Sequence, residues 1–393
     1  MFNIDKKIAH LTEQQINELI EKYYGGEKAK DIIKEYNINV PISKLYTVFP
    51  PLKCENEVCE YCGHAMYEER QSKANVNSSY PWFKPKKYCL NCGHENDSSC
   101  HCEQCQKKRN EEQERVIRER EEAFNIKKEL IHQKFYYDDF DAKSINELTT
   151  RERTLLGALM RVGLSEDMKK IENMASKELK LAPTYEYTNE IIEELLEHRI
   201  ILVNPDSEIS AFSDNIETFD IYKVQFLINL KKDEFEESVS IIFSGNYSEI
   251  NKDEILVIWR ELAISEIFEY LIISMERVNF NFNPGKKTIE VFNDLLNNFS
   301  VSQICQMIYN GIARATKYFQ EGRITKKHAA NSVITNCQSY GERAILGNWE
   351  VKGYYRDRDC KESALSQYLF SKILKIGDAG FNTKPTIIVD EIR

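Results

Sequence analysis

The spacing of apolar residues along the chain predicts a mainly α-helical protein built from several domains. Near the start, Thr12 and Gln15 have the spacing of a helix-capping box, and apolar residues recur behind them at helical intervals. A second helix ends at Asn37, a residue that tolerates the left-handed turn conformation, and a third begins near Pro41. Residues 1–50 are therefore predicted to form a three-helix unit.

A charged connecting helix is predicted over residues 110–145. Residues of opposite sign stand four apart, as in Glu111 and Arg115, which stabilises a solvated helix. Apolar residues recur every seven positions in this stretch, at Val116, Ala123 and Leu130. This segment is expected to be a solvated helix or a short coiled coil.

Residues 146–215 change to a mixed pattern. Thr149 has capping-box spacing to Glu152, and a further helix is predicted with Thr188 as its N-cap. A strand over 200–203, an Asn-Pro-Asp turn and a second strand follow. The order helix, strand, turn, strand is typical of a winged helix.

Residues 216–393 are predicted to be a helical domain. The predicted helical segments lie near 219–231, 253–276, 287–297, 301–320, 326–345 and 363–376.

The cysteines change this picture, because eight of the 11 fall between Cys54 and Cys105. Two segments share the pattern CxxCGH, and they contain Cys59, Cys62, Cys89 and Cys92. A CxxC on a tight turn directs two thiolates at one ion, so the four side chains match a tetrahedral zinc site. Buried free thiols, a redox CxxC and an iron–sulfur cluster are the alternatives.

This module, residues 51–109, resembles a zinc ribbon, a family of small metal-held modules that bind nucleic acids or proteins. Tyr80, Trp82, Phe83 and Tyr88 are expected to form the β-hairpin between the knuckles. A third cluster of Cys100, Cys102 and Cys105 departs from a single ribbon and suits a second ion. Its fourth ligand is left open between Cys54, His94 and His101, with Cys54 taken as the eighth cysteine ligand. A closed set of four protein ligands implies structural rather than catalytic zinc.

The first unit resembles the helix-turn-helix of resolvases and transposases over residues 32–46. The resemblance implies that the third helix approaches nucleic acid through Ser43, Lys44 and Thr47. Basic residues also gather around the cysteine module, beside aromatic side chains, which suits contacts to a nucleic-acid backbone or single strand. These residues are Lys84, Lys86, Lys87, Lys107, Lys108 and Arg109. Solvated surface charge is the alternative for all of them.

Charge and hydropathy limit the choice of partner and location. A formal net charge of −10 argues against coating DNA by bulk electrostatics, so any nucleic-acid contact must be local. The N-terminal segment lacks the apolar core of a signal peptide, and the apolar run over 255–275 contains four charged residues. The protein is therefore expected to be cytoplasmic, without a membrane partner.

No enzyme motif accompanies these features. The sequence lacks a phosphate-binding loop with its lysine, HExxH, GxSxG and a dinucleotide fingerprint. The preferred function is a zinc-containing nucleic-acid-binding protein, acting as a regulator or as the recognition subunit of a larger complex. The alternatives are a zinc-stabilised protein–protein adaptor and an enzyme with a C-terminal active site near Arg356 or His328.

Overall fold

The computed structural model describes residues 4–76, 86–137 and 142–385. The chain divides into two compact units, Met1–Asn125 and Ile126–Arg393. The predicted division into five parts is finer than this and stays a prediction. Within the described ranges the protein is mainly helical with two small antiparallel sheets, as the sequence predicts.

The first unit begins with three short helical segments and continues into a three-stranded sheet. Its elements are α1 (Glu13–Tyr24), α2 (Ala29–Glu35), a 3₁₀ helix (Ile42–Val48), β1 (Leu52–Val58), β2 (Ala65–Glu68), α3 (Lys73–Val76), β3 (Lys87–Cys89) and α4 (Glu103–Lys134), in which the division between the units falls.

The predicted start of α1 and the turn after α2 are confirmed. The Thr12 side chain accepts a hydrogen bond from the Gln15 amide, and Gln15 bonds back to the Thr12 amide. Asn37 has a φ of 50°, which is the left-handed conformation expected of it. The third helix is a 3₁₀ helix, which is wound more tightly than an α-helix because its hydrogen bonds join residues three apart. It buries Leu45 and Val48 against the two preceding helices.

The sheet of the first unit has the order β1-β2-β3, with antiparallel pairing throughout. Met66 pairs with Cys89, which places the strand after the first CxxC beside the start of the second. Of the aromatic residues expected in the hairpin, Tyr88 lies on β3. The other three lie outside the described residues.

The second unit contains the larger helices and the second sheet. Its elements are α5 (Thr150–Gly163), β4 (Lys170–Ile171), α6 (Tyr185–Glu197), β5 (Ile201–Val203), β6 (Phe226–Ile228), α7 (Phe235–Ser244), α8 (Lys252–Arg277), α9 (Lys286–Leu296), α10 (Val301–Gln320), α11 (Lys326–Gly347), α12 (Ala364–Gln367), a π-helical segment (Tyr368–Ile373) and α13 (Ala379–Asn382).

Two details of the predicted winged-helix region are wrong. The N-cap of α6 is Thr184, whose side chain accepts from the Tyr187 amide, and Thr188 lies inside the helix. The segment after the Asn-Pro-Asp turn forms a 3₁₀ helix over Ile209–Ala211 instead of a strand. The partner of β5 is β6, which lies beyond residue 215, and the sheet order is β4-β6-β5.

The same sheet explains why no helix forms over 219–231. Val224, Phe226, Ile228 and Leu230 are buried, and the residues at 225 and 227 between them are less so, which is the period of a strand. The other predicted helical segments are confirmed, with the last one broken into α12 and the π-helical segment. In the described part of the chain no helix is both long and apolar enough to cross a membrane.

Close packing in the core of the second unit generates a stability prediction at Gly157 on α5. A Cβ there would lie 2.2 Å from Cζ of the fully buried Tyr368, whose hydroxyl is 2.7 Å from that of Tyr247. Because both rings are fixed by this bond, Gly157→Ala should lower the free energy of unfolding by about 1–3 kcal/mol. Urea titration followed by circular dichroism measures the change.

Gly285→Ala is the matched control, because no atom lies within 4 Å of a Cβ at Gly285 and its φ of −117° is allowed to alanine. It should cost less than about 1 kcal/mol, since only the N-cap preference for glycine over alanine is lost. Equal losses in both variants would show that the Tyr368 contact does not limit stability.

Candidate metal centres

Both CxxCGH segments fold into the same turn. The Cys59 amide donates to the His64 carbonyl at 2.7 Å, and the Gly63 amide donates to the Cys59 carbonyl at 2.9 Å. In the second segment, the Cys89 amide donates to the His94 carbonyl and the Gly93 amide donates to the Cys89 carbonyl, at the same two distances. Both glycines are left-handed, with φ of 69° and 68°, a conformation that glycine adopts without strain.

These turns bring Cys59, Cys62, Cys89 and Cys92 into one group whose sulfur atoms all lie within 4.8 Å of one another. The Cys59 and Cys92 sulfurs are 3.5 Å apart, and those of Cys62 and Cys89 are 3.3 Å apart. Four thiolates bound tetrahedrally to zinc at about 2.3 Å would have their sulfurs roughly 3.8 Å apart. The group can therefore hold one metal ion.

A second group consists of His94, Cys100, Cys102 and Cys105. The Nδ1 atom of His94 lies 3.5, 3.7 and 3.4 Å from the sulfurs of these three cysteines in order. A tetrahedral ion with one imidazole and three thiolates requires separations of roughly 3.6 Å between nitrogen and sulfur. This group can hold a second ion.

The structure thus distinguishes the three alternatives for the fourth ligand. Cys54 lies on β1, and neither of the two groups among the described residues includes it. Burial raises the pKa of the Cys54 thiol, so the neutral form is favoured there. His101 is exposed and also lies outside the groups. His94 takes the position because the second CxxCGH turn directs its ring toward the start of α4.

Backbone amides favour the thiolate form of several ligands. The His64 amide lowers the pKa of Cys62 to about 6. Burial opposes ionisation of Cys100, but amides of Glu95 and Cys102 donate to its sulfur, and its pKa falls to about 6. Thiolates are the metal-binding form of cysteine. Burial raises the pKa of Cys92 to about 12 and also raises that of Cys102, so the amides favour ionisation of one thiol in each group.

The start of α4 contributes to the second group. The Cys105 amide donates to the Cys102 sulfur at 3.5 Å, so Cys102 caps the helix with its side chain. Cys105 lies in the first turn of α4. Arg109, one turn further, donates to the Cys100 carbonyl at 2.5 Å and fixes the loop that carries this ligand.

Two residues that the sequence analysis missed orient the second group. The Nε2 atom of His94 lies 3.6 Å from a Glu60 carboxylate oxygen, as a carboxylate does that orients a metal-bound histidine. Tyr61 packs its ring edge-to-face on His94 at 4.8 Å, and its hydroxyl lies 3.6 Å from the Cys105 sulfur. Glu60 and Tyr61 are the two residues between Cys59 and Cys62. The CxxC pattern identifies the cysteines as ligands but leaves the identity of these two positions open.

Most of the basic residues predicted to contact nucleic acid bind other parts of the same unit. Lys86 pairs with Asp97 at 3.2 Å, Lys87 pairs with Glu57, and Arg109 binds the Cys100 carbonyl. Lys107 lies 3.9 Å from Glu111. Lys84 lies outside the described residues. The remaining candidates are exposed: Ser43, Lys44, Thr47 and Lys108.

A cleft of about 760 Å³ opens beside the second metal group, between the first knuckle and α4. Two cations, Lys108 and Arg109, line it, and Arg109 is already bound to a carbonyl. The carboxylates that line it are more numerous: Glu57, Glu60, Glu95, Asp97 and Glu112. Each of these carboxylates lies within ion-pair distance of a basic side chain: Glu57 of Lys87, Glu60 of His94, Glu95 and Asp97 of Lys86, and Glu112 of Arg115.

The enzyme alternative names Arg356 and His328, and each of them makes contacts within the second unit. Arg356 donates to the buried Glu266 carboxylate at 2.9 Å and stacks its guanidinium on Phe381 at 4.2 Å. Burial raises the pKa of Glu266, whereas the contacts with Arg356 and Ser366 lower it. His328 is exposed in the first turn of α11, where its amide bonds to Thr325.

Comparisons of the chain with models of protein families, with curated proteins and with solved structures found no match. The chemistry of the two candidate metal centres is therefore inferred from their side chains. Each group offers four potential ligands, which is the number that a tetrahedral structural zinc site uses.

Metal stoichiometry tests the assignment of His94. His94→Ala should bind one metal ion per chain where the unchanged protein binds two, because the first group keeps all four sulfurs and the knuckle bond uses only the His94 carbonyl. Elemental analysis of the purified protein measures the ratio. Cys54→Ala is the matched control and should keep both ions. Loss of an ion from the Cys54 variant would restore Cys54 as a ligand.

Proposed function

We propose that this protein is a zinc-stabilised adaptor that binds cationic segments of partner proteins. The two four-ligand groups support zinc, because tetrahedral sets of thiolate and imidazole are the ligands of structural zinc. Zinc then holds a module whose own apolar core is small, and the surface that it shapes makes the contacts.

The carboxylate-lined cleft beside the second group is the observation that carries the adaptor proposal. Nucleic-acid binding requires Lys and Arg that neutralise phosphates. Here Lys86 and Lys87 are paired with carboxylates of the same unit. The carboxylates line the cleft while their partners Lys86, Lys87 and Arg115 do not, so a lysine- or arginine-rich segment would be attracted there more than a polyanion.

The charge of helix α6 in the second unit also favours a protein partner over nucleic acid. Its order α5, β4, α6, β5, β6 and its sheet order β4-β6-β5 favour a winged-helix interpretation, in which α6 would be the recognition helix. The exposed face of α6 includes Glu186, Glu190, Glu193 and Glu197. Four carboxylates on that face would repel a DNA backbone.

Nucleic-acid binding is the second candidate function, and one observation favours it. Ser43, Lys44 and Thr47 are exposed on the 3₁₀ helix that follows α1 and α2, where the helix-turn-helix resemblance expects contacts. Lys108 is an exposed cation near the metal centres. A local contact through these residues is compatible with the net charge of −10.

Fluorescence anisotropy with four labelled probes distinguishes the two candidates. The probes are a pool of Lys/Arg-rich dodecapeptides, a Glu-rich pool of equal length, mixed DNA and mixed RNA, each titrated at low and moderate salt with protein of measured zinc content. We expect binding of the cationic pool that weakens with salt, and no binding of the other three.

The double variant Glu95→Gln/Glu112→Gln should weaken binding of the cationic pool several-fold, because it removes two carboxylates from the cleft. Glu121→Gln/Glu122→Gln makes the same charge change on exposed positions of α4 and is the matched control. Salt-dependent binding of DNA or RNA without binding of the cationic pool would contradict the adaptor. That binding should then fall in Lys44→Ala or Lys108→Ala.

A further inference from the structure

An apolar groove of about 670 Å³ runs along α8 in the second unit. Its floor is a stripe of α8 residues at helical spacing: Val257, Ile264, Phe268 and Ile272. Ile289 of α9 lines the opposite side, and Val257 and Ile289 remain 49% and 43% exposed. Large apolar side chains at that exposure, collected in one groove, mark a surface that a partner can cover.

One wall of the groove is acidic. Glu186 and Glu190 of α6 line it with Glu261 of α8. Among the described residues, no cation lies within ion-pair distance of Glu186 or Glu190. Glu261 is ion-paired with Arg151, so Glu186 and Glu190 supply the unpaired carboxylates of this wall. Burial raises the pKa of Glu190, and the charge of Glu261 raises it further.

Polar contacts fix both walls in place. Arg151 of α5 binds both carboxylate oxygens of Glu194 at 2.7 and 2.8 Å and Glu261 at 2.7 Å, which ties α6 to α8. On the other side, Arg260 donates to the Asn293 carbonyl at 3.2 Å and so ties α8 to α9. The groove is therefore formed without a ligand, and a partner does not have to pay for opening it.

We propose that this groove binds one amphipathic helix of a partner protein, with its apolar face on the α8 stripe and Lys or Arg on the flank that faces α6. The stripe from Val257 to Ile272 covers about 22 Å at 1.5 Å per residue, which corresponds to four turns of a partner helix. Apolar anchors at i, i+3, i+4 and i+7 are the recognition pattern for such a groove. The inference rests on the proposed adaptor function and gives it a second, helix-specific surface.

Three labelled 18-residue peptides test the groove on the full-length protein. The first is helical with leucines on one face and lysines on one flank. The second has the same leucines with glutamates in place of the lysines, and the third is a scrambled version of the first. We expect the first peptide to bind at least about tenfold more tightly than the glutamate peptide or the scrambled peptide.

Two variants locate the binding. Glu186→Lys/Glu190→Lys reverses the acidic wall, and Ile289→Glu places a charge at an exposed position on the opposite side. Both should weaken binding of the first peptide about tenfold or more. Glu249→Lys/Glu350→Lys makes an equal charge change at exposed positions outside the groove and should leave it unchanged. Thermal melting of each variant verifies that the fold is retained.

Equal binding of the three peptides, or equal binding of the first peptide by the groove variants and the control variant, would contradict the proposal that this groove binds a partner helix. If the unstructured cationic pool still binds through the cleft of the first unit, the adaptor function survives and only this inference fails. If neither the helix nor the cationic pool binds, both fail together.

Discussion

His94 joins the second knuckle to the second candidate metal group, and the proposed pair of zinc sites depends on this double role. Its carbonyl accepts the Cys89 amide in the second knuckle, and its Nδ1 lies among the three sulfurs of the second group. Among the described residues, the buried apolar cluster under this sheet consists of Cys59, Met66 and Cys89, and four partly buried side chains pack against it: Cys54, Tyr61, Cys62 and Cys92. A core of this size offsets little of the entropy of ordering the chain, so in the zinc-stabilised adaptor that we propose, metal coordination supplies folding free energy.

The sequence predicted the parts of this arrangement that are local. CxxCGH spacing identified two knuckles, and the glycine in each has the positive φ that the motif requires. Capping-box spacing located the starts of α1 and α5, because the Thr12 and Thr149 side chains bond only three residues ahead. Such signals need no knowledge of the rest of the chain.

The errors concern contacts between residues that are distant in sequence. β5 pairs with β6 across a long excursion, and no local pattern says which later segment completes the sheet. Thr184 caps α6 while its hydroxyl also lies 2.9 Å from that of Ser265 on α8, a tertiary contact that favours it over Thr188. The fourth ligand of the second group stayed open because spacing alone does not determine where the His94 ring points.

In the adaptor that we propose, zinc shapes a cleft lined by carboxylates in the first unit, and the second unit offers a groove with an acidic wall and an apolar floor. X-ray absorption at the zinc edge of the purified protein tests the central claim most directly. Two ions bound by seven sulfurs and one imidazole nitrogen should give an average shell of sulfur near 2.3 Å with a minor nitrogen contribution. A shell of four sulfurs from a single ion, or one rich in oxygen, would contradict the shared role of His94.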